Sequence, residues 1–175
     1  MLIHLSEVLT HEGREKTWDI PFEKPVFDGA EGSYPVVSSE PVHIVLKNLG
    51  KRKVSLTGGT SVTLRIPCAR CLEPVDYICS MEFDEELDLG ISDEERVKNL
   101  DEQSYLNGYQ LDTDQLVCNE LSLSLPMKVL CKEDCKGICN RCGANLNYEI
   151  CSCDTRSLDP RMAVIQDIFK QFKEV

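Results

Sequence analysis

The stretch KVSLTGGTSVTLRIPCARCLEPVDYICSMEF, residues 53–83, decides the fold. Apolar residues return at every second position: at Val54 and Leu56, at Val62, Leu64 and Ile66, and at Val75, Tyr77, Cys79, Met81 and Phe83. Side chains on a strand point alternately to opposite faces, so this spacing predicts half-buried antiparallel strands with one face on a core. VHIVLKNL, residues 42–49, reads as a further strand just upstream. Gly58-Gly59 and Leu49-Gly50-Lys51 are expected to be the hairpin turns, because glycine accepts the positive φ that tight turns require. Cys79 keeps the alternating register of its strand and reads as a core thiol.

Outward from this stretch the pattern weakens. The first 40 residues show little periodicity. The acidic run FDEELDLGISDEERVKNLDEQ, residues 83–103, lacks a long apolar face and is expected to be a solvated connection. DQLVCNELSLSL, residues 114–125, has Val117, Leu121 and Leu125 at helical spacing, with Asp112 or Asp114 as cap, Pro126 as stop and Cys118 on or beside the apolar face. DPRMAVIQDIFKQFKEV, residues 159–175, predicts a second amphipathic helix with Ile165, Ile168, Phe169 and Phe172 on one stripe. The expected fold is α+β: an antiparallel β-sheet or partly closed barrel in the first two thirds, followed by helices and a small cysteine-rich zinc-binding tail. The expected divisions are a strand-rich core at 1–130, a metal-binding segment at 131–155 and a C-terminal amphipathic helix at 156–175.

Charge is segregated along the chain. The net charge of −11 over 175 residues argues against a uniformly basic nucleic-acid binder. Residues 82–120 carry 13 acidic and 2 basic side chains, whereas residues 41–81 carry 6 basic and 2 acidic. An anionic partner such as RNA would meet Lys47, Lys51, Arg52, Lys53, Arg65 and Arg70. The plainer alternative is that this basic stretch faces the acidic one inside the fold. No apolar run approaches the roughly 18 residues of a membrane span, and the N-terminal residues lack the pattern of a secretory signal. The expected location is the cytoplasm, where cysteines serve as metal ligands or buried thiols rather than disulfides.

Ten cysteines then need an explanation. With Cys79 and Cys118 set aside as packing residues, eight remain, the number for two four-thiolate sites. Cys139-Asn140-Arg141-Cys142-Gly143 has the form of a zinc knuckle, in which a two-residue spacer lets both sulfurs meet one ion. Cys151 and Cys153 fit as the second pair, because side chains two apart on an extended segment point the same way. Cys131 and Cys135, four apart, would share a face on a helical turn and are alternates for either pair, so the spacing leaves open which four of the six bind. Cys68 and Cys71 mark a second site, completing a ribbon with Cys139 and Cys142 or pinning their hairpin with other ligands. The triad Cys135, Cys139 and Cys142 also has an iron-sulfur spacing, but only 33 residues follow it and no βα repeat precedes it. The three histidines, His4, His11 and His43, lie outside the cysteine cluster, and neither a nucleophile elbow nor a dinucleotide fingerprint is present. The expected role of zinc is therefore structural, in a protein that is not an enzyme.

PCARCLEPV, then LPMKVLCKEDCKGICNRCGANLN, then CSCDTRSLDPRMAVI, in that order behind a strand-rich half, resemble the bacterial YceD family, also called large ribosomal RNA subunit accumulation proteins. Asn140 stands where many members of that family carry proline. The resemblance implies a non-enzymatic ribosome-biogenesis factor supporting accumulation of large-subunit ribosomal RNA. The partner would be that RNA, a ribosomal protein or a precursor particle. The alternatives are a zinc-stabilised adaptor that touches only protein, and an iron-sulfur or metal-dependent enzyme.

Overall fold

In the computed structural model, which describes residues 1–30, 32–91 and 103–153, the alternation of residues 54–83 belongs to one long hairpin. Nine strands are described: β1 (Leu2–His4), β2 (Glu15–Ile20), β3 (Val26–Gly29), β4 (Gly32–Ser39), β5 (Val42–Gly50), β6 (Lys53–Pro67), β7 (Pro74–Asp88), β8 (Leu106–Asn107) and β9 (Gln110–Asp112). A 3₁₀ turn (Leu5–Glu7) follows β1, and helix α1 (Thr113–Ser124) follows β9. Strand β6 pairs with β7 along its whole length, from Lys53 opposite Asp88 to Pro67 opposite Pro74. Its other edge is divided, with β5 along residues 53–59 and β4 along residues 62–64. Strand β2 lies outside β5, and β3 lies outside β4. The expected antiparallel sheet is thus present as an open, branched ladder, beside a small second sheet ordered β1-β9-β8.

Parity decides which residues are buried. Val54, Leu56, Val62 and Leu64 on β6 have no exposed surface, and Cys79, Met81, Phe83 and Leu87 on β7 face the same interior. Cys79 is therefore the core thiol its register implies. Against this face packs α1, through Leu116, Val117 and Leu121. Asp112 caps the helix, its Oδ1 accepting from the amides of Asp114 (3.0 Å) and Gln115 (3.2 Å). Cys118 lies half-buried against the core, 3.4 Å from the Lys24 Nζ. One α-helix is described after the sheet; the second expected helix, at residues 159–175, lies outside the described residues.

Three expectations change. Gly58-Gly59 is not a turn: both residues sit in the middle of β6. A Cβ on Gly58 would fall 2.0 Å from the carbonyl oxygen of His43 and 2.7 Å from the Phe83 ring, and one on Gly59 would fall 2.7 Å from the carbonyl oxygen of Met81. Glycine is needed there for the close approach of neighbouring backbones, a use of strand glycine distinct from turning. The turn at Gly50, by contrast, is where it was expected, with positive φ at Gly50, Lys51 and Arg52.

The acidic run does not begin as a solvated connection either. Strand β7 continues to Asp88, with Phe83 and Leu87 on the core and Glu82, Asp84 and Glu86 exposed on the other face; residues 92–102 lie outside the described residues. Finally, the first 40 residues form four strands. Only Ile20 of β2 is buried and β1 has three residues, too few for a period to show.

Candidate metal centres

Between β6 and β7 the chain reverses through Cys68–Glu73, flanked by Pro67 and Pro74. The Cys68 amide donates to the Glu73 carbonyl at 2.8 Å, and the Leu72 amide donates back to the Cys68 carbonyl at 2.9 Å. The same pair of bonds recurs downstream: Cys139 to Ala144 at 2.9 Å, and Gly143 to Cys139 at 2.9 Å. Residue 72 has φ +63 and residue 143 has φ +76. The two Cys-x2-Cys segments are therefore the same knuckle built twice, once with glycine in the left-handed position and once with leucine.

Each knuckle meets a second pair of thiols. Cys68 and Cys71 meet Cys131 and Cys135, while Cys139 and Cys142 meet Cys151 and Cys153; within each set the sulfurs all lie within 4.8 Å of one another. In the first set Cys71 is 3.5 Å from Cys131, and Cys68 is 3.8 Å from Cys135. These separations are too long for a disulfide of about 2.05 Å. They match the edge of a sulfur tetrahedron, which is ~3.8 Å for metal–sulfur bonds of about 2.3 Å.

The tail set Cys139, Cys142, Cys151 and Cys153 is thus brought together as its spacing suggested. Cys131 and Cys135 do not displace either of its pairs. They join Cys68 and Cys71 instead, across 60 residues of sequence between Cys71 and Cys131. The ribbon of Cys68 and Cys71 with Cys139 and Cys142 does not form. The first set also draws on both sides of residue 130, where the core was expected to end.

Electrostatics within the sets is uneven. Burial opposes ionisation of Cys68, but the amides of Cys71, Arg70 and Cys131 more than offset it and bring the thiol down to about 6. Backbone amides of Cys142 and Arg141 likewise bring Cys139 to about 6. Cys131 is pushed up to about 12 by burial and its thiol neighbours, and Cys153 is pushed up to about 12 by the Cys142 side chain and by burial. Neighbouring thiols cannot all ionise at once, and a divalent cation at the centre removes that conflict. Both sets are therefore groups that can hold a metal ion, with four sulfur donors and no histidine or carboxylate among them.

The basic residues are less available than their sequence suggests. Lys53 pairs with Glu86, Arg65 holds Asp76 through two bonds of 2.7 and 2.9 Å, and Arg70 donates to the carbonyl of Cys135 at 2.8 Å. Half of the candidate basic residues are thus already engaged by acidic or carbonyl groups of the same chain. Lys47, Lys51 and Arg52 are exposed and form no ion pair among the described residues, the last two at the tip of the β5–β6 turn. An apolar cavity of about 330 Å³, lined by residues including Phe27, Tyr34, Ile66, Leu125, Lys128 and Val129, gathers no pair of acid and base groups.

A branched antiparallel sheet carrying two knuckle-based sets of four thiols defines the class of protein. The chain belongs to the YceD family, described as large ribosomal RNA subunit accumulation protein YceD, which it matches over residues 56–169. That match takes in all eight clustered cysteines. Relatives include uncharacterized proteins of Mycobacterium bovis and Mycobacterium tuberculosis, 28% identical over 115 residues. The similarity covers 66% of this chain and 55% of theirs, so the chain spans about half the length of the curated relatives it matches. No solved structure matches. Among the described residues no helix is long and apolar enough to cross a membrane.

Proposed function

We propose that this chain is a non-enzymatic factor in the making of the large ribosomal subunit, supporting accumulation of its RNA, with zinc in the tail set Cys139, Cys142, Cys151 and Cys153. The observation that carries this reading is the family match, which spans the hairpin and both thiol sets. Zinc suits four cysteine sulfurs in a tetrahedron, and such a site leaves no coordination position open for substrate, which favours a structural role.

Charge favours a protein or particle over naked RNA as the main partner. The chain carries −11 in all, and the exposed carboxylates of β7 complement a basic ribosomal surface. RNA contact falls to Lys47, Lys51 and Arg52, few enough that it is weak and salt-sensitive. The test is sedimentation of the protein with large-subunit precursors from cells. The parent protein is expected in the precursor fractions, and Lys51→Glu with Arg52→Glu is expected to weaken RNA binding and flatten its salt dependence. Depletion that leaves large-subunit RNA unchanged, with no protein in those fractions, would refute the reading.

A further inference from the structure

We infer that Cys68, Cys71, Cys131 and Cys135 bind a second zinc ion of their own, and that this ion is the joint fastening the cysteine-rich tail to the sheet. The inference shares its metal chemistry with the reading above but does not depend on the ribosomal partner.

Three observations carry it. First, the sulfur separations of 3.5 and 3.8 Å are those of a filled tetrahedron, and two donors are aimed at sulfur: the Cys131 amide at Cys68 (3.4 Å) and the Asn147 Nδ2 at Cys135 (3.3 Å). Such donors stabilise thiolates, the form that binds metal. Second, Leu72 holds a left-handed φ of +63 with its side chain 63% exposed. The two backbone bonds of the knuckle, from Cys68 to the Glu73 carbonyl and from Leu72 to the Cys68 carbonyl, hold it in that costly conformation. An ion bound by Cys68 and Cys71 would brace the same turn. Third, the apolar surroundings are slight. Among the described residues, the apolar side chains packed against buried Cys68, Cys71 and Cys135 are Val75, Leu130 and Ile138, all partly exposed. So small a cluster cannot offset the ordering of the chain around it.

The position of the set explains what the ion does. Two ligands come from the end of the β6–β7 hairpin and two from the start of the tail, so one ion ties the two together. Around it the Ala69 amide meets the Val129 carbonyl at 2.8 Å, the Ile138 amide meets the Arg70 carbonyl at 3.1 Å, and Arg70 reaches the Cys135 carbonyl. Gly137, at φ +77, lies where a Cβ would come within 3.0 Å of the Arg70 carbonyl oxygen. The tail set, by contrast, takes all four ligands from residues 139–153 and fastens that segment only to itself. Asn147 lies between its two cysteine pairs, so the tail's own loop also supports the first set.

Native mass spectrometry of protein purified without chelators is expected to find two zinc ions per chain. Cys135→Ser is expected to retain one ion and Cys151→Ser the other. Hydrogen exchange should then separate the roles: Cys135→Ser exposes the amides of Ala69 and Ile138, whereas Cys151→Ser leaves them protected. Should either variant fail to fold, cadmium-113 magnetic resonance of the cadmium-loaded parent decides, with two tetrathiolate signals expected. One ion per chain, one cadmium signal, iron in place of zinc, or unchanged protection of Ala69 and Ile138 after loss of the ion would overturn the inference. None of these readouts involves ribosomal material, so failure here is distinguishable from failure of the proposed function.

Discussion

The sheet and the tail are ordered by different means. On β6 and β7, nine apolar side chains, Cys79 among them, face one interior, and burying each large one contributes about 1.5–3 kcal/mol. Between residues 129 and 153 the buried apolar residues besides cysteine reduce to Val129, and the apolar groups around the first thiol set are only partly buried. What that segment has instead is six of the eight clustered cysteines. A fold can replace area with coordination when it is short of area. The consequence is that the two halves of this chain should answer to different reagents, denaturant for one and chelator for the other.

The largest test of that contrast is metal removal. Structural zinc contributes apparent binding free energies of about 10–16 kcal/mol per site, all of it available only to the folded form. Chelation is expected to abolish amide protection across residues 131–153 and in the 68–73 loop, while amides in the middle of β5, β6 and β7 stay protected. Loss of protection spread evenly through the sheet would break the contrast.

A smaller effect tests the other half. Gly58→Ala places a methyl group 2.0 Å from a backbone oxygen, so β5 and β6 must separate locally, at a cost of about 1–3 kcal/mol. The urea midpoint should fall, whereas the metal content of the folded protein should not change. A variant that loses metal before it loses the sheet would mean that the two regions are one cooperative unit.

The smallest effect sharpens the likeness between the two knuckles. Leu72→Gly makes the first resemble the second at its left-handed residue and relieves about 1 kcal/mol of strain, partly offset by the greater freedom of glycine when unfolded. Zinc at the first set should resist a competing chelator up to roughly fivefold better, the equivalent of about 1 kcal/mol. Weaker retention would show that the leucine side chain itself supports the site.

How much of this was legible before the structure follows from the range of each signal. Alternation over Val54–Phe83 reports a local periodicity, and it gave the buried face residue by residue. The tail set was legible for the same reason, its four cysteines lying within 15 residues. Gly58-Gly59 misled because a glycine pair has two uses, turning and close approach. The parity shared by Leu56 and Val62 across the pair was the clue that the strand does not stop. The partnership of Cys68 and Cys71 with Cys131 and Cys135 was not legible, because spacing carries no information across a 60-residue gap. Counting gave the number of sets, but only the chain's path gave their membership. The engagement of Lys53 and Arg65 was not legible for a related reason: composition locates charge along the chain, while pairing across β6 and β7 sets carboxylates beside them in space.

The first thiol set also changes the topology of the chain. With an ion in place, the stretch from Cys71 to Cys131 becomes a closed ring containing β7, the second sheet's β8 and β9, and α1. In the chain-entropy account used for disulfides, closing a ring of 60 residues costs about 4 kcal/mol of chain entropy at room temperature, and the bonds to the ion offset that cost as the site assembles. Here the closure is reversible, since it opens when the ion leaves. Supply of metal would then act on the helix and the acidic strand, which supply no ligand, by deciding whether the chain they belong to is a line or a loop.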